Sequence, residues 1–461
     1  MHDKYYLERF FMYLKGAIEV LDDEKTRQYI GRLLGLQGIP RDSYKAHDLF
    51  WQKIRKLRRL YKEKCRYVCN EKTIMDCIYH YKENKIAEYV KSPILSLMRG
   101  IVVRYYWEWM DEYTRLVRRA ELKAIPFAKF FNIGEFNIIG EEEPEKIDVV
   151  LEKLDGTLII LWYDDIEKKL KANTRGNFEI NNPYVDAFWK VVEENNYYRE
   201  IEKLVDYGSY TVMFELVGAT PASAEALKHT DKVLGGRDYK IYLLARRDNA
   251  TMELEYPVKL RVSIPKPRSF EINDINKLID EVNKWDASEG VVIYSRGDRY
   301  GDGFFKWWDK LVKVKSWRYT MKIQLGLAST DEINERVLTK YVVLGYLDDL
   351  IPILNTEQLE KARKIADLYS ELEHEWEQFI VYMRQHIDTE TWKIHEPVKN
   401  RLKANCRGGW LIPYIIEAVK KNRVEAMARK IAIINAPRKN AVSYMQRLTE
   451  RLRTIRQCVT E

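Results

Sequence analysis

Glu152-Lys153-Leu154-Asp155-Gly156-Thr157-Leu158 sets one lysine two residues ahead of an Asp-Gly pair, and an apolar run, Leu158 to Trp162, follows. The pattern reads as strand, turn, strand. Gly156 is free to take a positive φ, so a tight reversal is expected, with Lys153 pointing into the cleft that the strands enclose. K-x-D-G alone matches often by chance. Its weight comes from three later phrases: Phe214-Glu215-Leu216-Val217-Gly218, Ser288-Glu289-Gly290-Val291-Val292 and Leu311-Val312-Lys313-Val314-Lys315.

A lysine nucleophile must be neutral, yet its free pKa is about 10.4, so only roughly one in a thousand is deprotonated at neutral pH. Nearby cations, a metal ion or desolvation lower that value. Arg99, Lys129, Arg175, Lys313 and Lys315 are possible neighbours of Lys153, and the same groups would bind and neutralise a polyphosphate. Glu215 and Glu289 are hard oxygen ligands that could hold Mg2+ or Mn2+, directly or through water. Each residue also has a bland reading. Glu215 could be a satisfied edge carboxylate, and Lys313 and Lys315 alternate with valine as on a half-exposed strand. It is the set, in one order along the chain, that makes coincidence improbable.

That ordered set resembles the covalent nucleotidyltransferase superfamily of ATP-dependent ligases and capping enzymes. Upstream, Lys129-Phe130-Phe131-Asn132 precedes the lysine corner, with Arg99 before it. This K-F-F-N phrase resembles the phage-type single-strand RNA ligase family, called RNA ligase 1. The resemblance runs from Ile94 to Tyr319. It implies that Lys153 attacks the α-phosphate of ATP and carries AMP as a phosphoramidate. Asp155 and Gly156 match the rest of the lysine motif. Arg99, Lys129 and Arg175 match cations near the ATP phosphates or the RNA end. Glu215 matches a carboxylate that contacts ribose or a metal-bound water, and Glu289-Gly290 a phrase lining the nucleotide pocket. Lys313 and Lys315 match paired lysines on the α-phosphate. Phe131 and Tyr242 are the candidates to stack on adenine. The implied partner is RNA with 3′-OH and 5′-phosphate ends, such as a cleaved tRNA loop.

The expected fold is α+β: a central antiparallel-sheet nucleotidyltransferase (ATP-grasp-like ligase) domain over 91–322, a basic helical domain over 1–90 and a helical domain over 323–461. Within the core the expected strands are Leu158 to Tyr163, Leu170 to Arg175, Tyr210 to Val217, Lys240 to Ala245, Val258 to Ile264, Glu289 to Tyr294 and Leu311 to Lys315. Pro183 to Tyr207 reads as one helix, and Asn273 or Asp274 as the cap of another. Between Ala219 and Arg237 lies a loop of small residues. Ser329-Thr330-Asp331-Glu332 reads as a capping box. Helical patterns then continue almost to the last residue, where a DNA ligase or mRNA capping enzyme would show the alternation of a small β-barrel. Those two reactions on the same core, and a catalytically inactive RNA-binding protein, are the competing readings.

The 461 residues call for two or three domains. No apolar stretch approaches about 18 residues, which argues against a membrane span. The five cysteines argue against a disulfide scaffold and for a reducing cytoplasm. Cys65, Cys69, Cys77 and His80 carry zinc-type ligands, but their spacing fits no usual knuckle and buried structural cysteines are favoured. The net charge of +8 is unevenly spread. Gln52 to Arg66 reads QKIRKLRRLYKEKCR, with Trp51, Ile54, Leu57 and Leu60 three apart, and Lys420 to Arg456 holds only two acids, Glu425 and Glu450. Such runs suit a phosphate-rich partner, or simply a solvated helix face.

Overall fold

In a computed structural model the chain divides into two compact units, one of residues 1–82 and 87–326 and the other of residues 83–86 and 327–461. The structure describes residues 2–68, 71–82, 93–111, 115–132, 147–218, 239–271, 274–285, 288–295, 310–316, 319, 333–345, 347–351, 354–421, 424–434 and 436–460. The loop expected between Ala219 and Arg237, the capping box at Ser329 and Cys69 lie outside the described residues.

The first unit opens with three helices, α1 (His2–Leu14), α2 (Glu24–Leu33) and α3 (Ser43–Leu57). Asp23 and Asp42 cap the second and third, accepting from the amides of Thr26 and Lys45. The expected helical domain then gives way to strands β1 (Tyr61–Val68) and β2 (Glu71–Tyr81). After the short helix α4 (Pro93–Leu97), β3 (Arg99–Trp109) and β4 (Arg115–Ala124) complete an antiparallel sheet in the order β1-β2-β3-β4. The basic run that reads as one helix therefore breaks after Leu57. Its second half is an edge strand, and charge along an edge blocks further pairing. Cys65 faces Cys77 across β1 and β2, and the two form a disulfide. A second bridge joins Cys406 and Cys458, so the expectation of unpaired cysteines is overturned at both pairs.

Two five-stranded sheets follow. One holds β7 (Thr157–Asp164), β8 (Lys169–Thr174), β9 (Tyr210–Gly218), β10 (Tyr239–Asp248) and β11 (Leu254–Glu255), ordered β11-β10-β9-β7-β8. The other holds β5 (Phe131–Asn132), β6 (Ile147–Lys153), β12 (Ser269–Phe270), β13 (Gly290–Ser295) and β14 (Lys310–Lys315), ordered β12-β6-β13-β14-β5. The chain passes from the second of these sheets to the first at Asp155-Gly156, so the expected hairpin about Lys153 is a crossing between sheets. Gly156 is not among the positive-φ glycines. A Cβ there would strike the Leu216 carbonyl, whose carbon would lie 3.0 Å away, so close approach of β9 is what demands glycine.

Alternation along the strands sorts the cores. Leu151, Val292, Tyr294 and Leu311 face Met213, Ala245 and Leu158, giving the apolar layer between the two sheets. Val150, Val291, Ile293 and Val314 turn away and pack on helix α7 (Ile275–Val282), with Lys277 N–H donating to Asp274. Val212, Phe214, Leu216, Ile241 and Leu243 pack on α5 (Pro183–Glu194) and α6 (Tyr198–Val205). These two helices replace the single expected one, with Asn196 at φ 57° in the break. Val258 to Ile264 is a 3-10 turn and loop rather than a strand. Further along β7, Ile160 and Trp162 pack on Ile78, Val102 and Ala124 of the N-terminal sheet. Both the N-terminal sheet and the β6–β13–β14 sheet thus cover one face of the β7–β9 sheet.

The N-terminal sheet is also tied down by charge. The fully buried Arg104 meets Asp76 at 2.7 Å, Asp164 at 3.0 Å and Asp165 at 2.9 Å. Burial raises the Asp76 carboxyl while the guanidinium pulls it down.

The second unit is helical. It contains α8 (Glu335–Val343), α9 (Leu347–Leu350), the long α10 (Thr356–Arg384), α11 (Glu396–Asn400), α12 (Ile412–Lys420), α13 (Val424–Ile434) and α14 (Ala441–Thr460). Asn355 and Gln358 form a capping box at the start of α10, and Trp376, Phe379 and Met383 are buried along it. Two-residue strands, Ile387–Asp388 and Lys393–Ile394, form a small ribbon. Among the described residues no helix is long and apolar enough to cross a membrane.

Candidate active site

The candidate residues gather where the three sheets of the first unit meet. Within the β6–β13–β14 sheet, Gly290 on the central strand pairs with Lys153 on one side and Lys315 on the other, and Val292 pairs with Lys313. Lys153, Lys313 and Lys315 share the face that carries Leu151, Val292 and Leu311, so all three project toward the β7–β9 sheet. Gly290 has φ +145°, and a Cβ there would collide with the Val314 carbonyl oxygen and lie 2.9 Å from Lys315 Cα. Only glycine lets the three strands close at this point.

One residue earlier, the buried Glu289 carboxylate bridges the two lysines. Lys153 Nζ donates to Oε2, and Lys315 Nζ lies 2.8 Å from Oε1. The Lys315 side chain is 4% exposed and that of Lys153 is 20% exposed, so the first is sealed and the second open. The Tyr319 hydroxyl donates to Asp155 Oδ2 at 3.1 Å. Burial, then the Glu289 charge, push Asp155 up to about 6 against the pull of Lys153 and Lys315. Glu215 sits in β9 opposite Leu158 and Tyr242. Burial, reinforced by Asp155 and Glu289, pushes it up to about 8 even though Lys153 and Arg99 pull the other way. Carboxylates crowded enough to keep their protons are a fit site for a cation. Glu289 suits that task less well, since each of its oxygens already meets a lysine. Among the described residues the set of three ligand-type groups close enough for one ion is Glu63, Cys65 and Cys77, and its two cysteines are bonded to each other.

The remaining predicted cations flank two rings. Arg99, the first residue of β3, and Lys313 both approach Phe130, at 4.9 and 5.7 Å from the ring centroid. Arg99 Nε and Nη1 are buried and have no hydrogen-bond partner. Lys129 and Arg175 both approach Tyr81, at 4.8 and 5.5 Å. Gly100, at φ +99°, brings β3 against Arg175, whose Cα would lie 3.0 Å from a Cβ there. Phe131 pairs through its backbone with Val312, and its side chain lies outside the described residues.

Sequence reading missed Tyr81, Phe130 and Tyr319. Tyr319 could have been found by its place four residues after Lys315. Tyr81 had no local signal, because only the pairing of β2 with β3 carries it to the site.

A family model described as RNA ligase matches residues 98–319. No curated protein matches the chain. Among solved structures the chain is similar to an archaeal ATP-dependent RNA ligase in two forms. Form 1 is 14% identical, with 70% of this chain and 78% of that one covered and a TM-score of 0.35. Form 2 is 15% identical, with 77% and 82% covered and a TM-score of 0.36. The RNA ligase of Naegleria gruberi with PPi is 13% identical, with 58% of this chain and 99% of that one covered and a TM-score of 0.29.

Proposed function

We propose that the protein is an ATP-dependent RNA ligase that joins 3′-OH and 5′-phosphate ends, a reading supported by the RNA ligase family model that matches residues 98–319. The observation that carries this reading is the Glu289 carboxylate held between Lys153 and Lys315 at the junction of three sheets.

In the first step Lys153 Nζ, having lost a proton, attacks the α-phosphorus of ATP. A P–N bond forms, the bond to the β-phosphate oxygen breaks and pyrophosphate leaves. Lys315 lies on the far side of Glu289 from the nucleophile, where it offsets charge on the α-phosphate. In the second step an oxygen of the RNA 5′-phosphate attacks the AMP phosphorus. The P–N bond breaks, and the amine recovers a proton. In the third step a 3′-hydroxyl, giving up its proton to solvent, attacks the RNA phosphorus of the adenylated end; the phosphoanhydride bond to AMP breaks, a phosphodiester forms and AMP leaves. Arg99, Lys313, Lys129 and Arg175 hold phosphate groups around Phe130 and Tyr81, worth most in a water-poor cleft.

Asp155 holds its place through Tyr319. Glu215, ionised above about pH 8, is the carboxylate of this chain that would hold a divalent cation, which supplies charge neutralisation on the phosphates when bound. Residues 91–322 are the adenylyl-transfer domain in this reading, with 1–90 and 323–461 as flanking domains. Repair of broken structured RNA, such as a cleaved tRNA loop, is the task that such a reaction serves.

The test is to incubate the protein with ATP or, separately, α-labelled GTP, with Mg2+ or Mn2+ and end-labelled RNA or DNA carrying a 5′-phosphate and a 3′-hydroxyl. Joined RNA is the expected product. Transfer from GTP alone, or joining of DNA alone, would replace this reading with capping or DNA sealing.

A further inference from the structure

We propose that helix α3 is a docking surface for the single-stranded RNA arm that leads away from the active site. Ala46, Phe50, Ile54 and Leu57 bury one stripe of this helix. Beside it runs a second stripe, Tyr44, His47, Trp51, Arg55 and Arg58, spaced three or four apart along the whole helix. Tyr44 is 78% exposed. His47 stacks on Trp51, and the guanidiniums of Arg55 and Arg58 lie 5.9 and 5.1 Å from the Trp51 ring centroid. Lys56 and Arg59 are exposed alongside. Among the described residues no carboxylate pairs with Arg55, Lys56, Arg58 or Arg59, and the acids on the helix, Asp42 and Asp48, lie in its first half. The exposed Tyr44 ring and the half-exposed Trp51, followed by cations that no carboxylate among the described residues neutralises, offer what a single strand needs: bases stack on the rings, displacing the guanidiniums that now lie against Trp51, and phosphates meet those charges.

The helix also ends in the right place. Just beyond it, the Leu60 carbonyl accepts from Lys82 N–H at 2.7 Å, and Tyr61 pairs with Tyr81. Tyr81 is the ring that Lys129 and Arg175 flank in the active site. A strand whose end lies among those cations therefore meets Arg58 and Arg59 next, and then a helix about 22 Å long. Charge of one sign along the path selects a polyanion over a protein partner. The identity of that polyanion as RNA rests on the ligase reading above.

The experiment measures binding of a 5′-phosphorylated, unstructured RNA oligonucleotide to the full chain across a range of salt concentrations. The variants are Arg55→Gln/Lys56→Gln/Arg59→Gln and, separately, Trp51→Ala. Each phosphate contact on a single strand contributes about 0.7 to the slope of log K against log salt. The triple variant is expected to lose about 2 from that slope and to bind at least about tenfold more weakly at low salt. Trp51→Ala is expected to weaken binding with little change in slope, since it removes stacking and no charge. Formation of the lysyl-AMP adduct from ATP is expected to be unchanged in both. Wild-type affinity and slope in a folded triple variant would overturn the proposal. Arg59→Gln alone, with an expected slope change of about 0.7, decides the matter if the triple variant does not fold. Absence of the adduct in the wild-type protein would defeat the ligase reading instead, and the salt slopes would still decide whether α3 binds RNA.

Discussion

Lys153 and Lys315 are held by opposite oxygens of one carboxylate, that of Glu289, and both pair with Gly290 on the strand that lies between theirs. Two ammonium groups could not otherwise be kept this close in a site where Lys315 is sealed from water. Glu289→Ala is expected to lower the rate of lysyl-AMP formation by about a hundredfold or more, because an unpaired buried lysine reorganises the pocket. Labelled-adduct formation over time measures this, and Glu289→Gln, which keeps a single acceptor, is expected to fall between the two.

Gly290→Ala tests the close approach of the three strands. The added Cβ meets Val314 and Lys315 backbone, and a φ of +145° is one that alanine rarely adopts. A loss of roughly 2–4 kcal/mol in chemical denaturation is expected. Gly156→Ala is expected to cost a comparable amount through the Leu216 carbonyl, although its φ is unremarkable in sign.

Much of this site can be read from the sequence because its parts are local. The alternation of lysine and valine in Leu311 to Lys315 gives both a strand and the face of its cations, and the hairpin of β7 and β8 falls where the pattern puts it. What the pattern cannot give is partner choice. The Asp-Gly pair after Lys153 looks like a hairpin turn, yet β6 and β7 belong to different sheets, since their partners come from residues far along the chain. Tyr61 to Val68 looks helical because charge on an edge strand hides its alternation. Arg104 and its three aspartates are dispersed over the sequence and meet only in the folded core.

That cluster makes a second prediction about stability. Asp76→Asn leaves Arg104 buried with part of its charge uncompensated, and a loss of about 3–5 kcal/mol is expected. Since Asp76 lies on β2 and Asp164 on β7, the same variant should loosen the N-terminal sheet first. Hydrogen exchange at β2 and β3 amides, compared with those of β13, checks this.

The pH dependence follows from Glu215, raised to about 8, and Asp155, raised to about 6. Between the ordinary carboxylate range and those values the folded protein binds more protons than the unfolded chain. Stability is therefore highest near the low end of that window and falls as pH rises from about 5 to 8. Glu215→Gln is expected to flatten the decline, by roughly 1–3 kcal/mol over the window. Denaturation midpoints at about pH 5.5, 7 and 8.5 compare the two proteins. If Glu215 also holds the divalent cation, adduct formation in the wild-type protein climbs toward pH 8 as the proton leaves.

Each step of the proposed reaction requires Lys153 Nζ to become covalently bonded to AMP. Incubation with α-labelled ATP and Mg2+ or Mn2+, followed by proteolysis and mass spectrometry, measures this directly. AMP on the peptide containing Lys153, and no adduct in Lys153→Ala, is the predicted result. A label that persists in Lys153→Ala, or an adduct mapped to another residue, would contradict it.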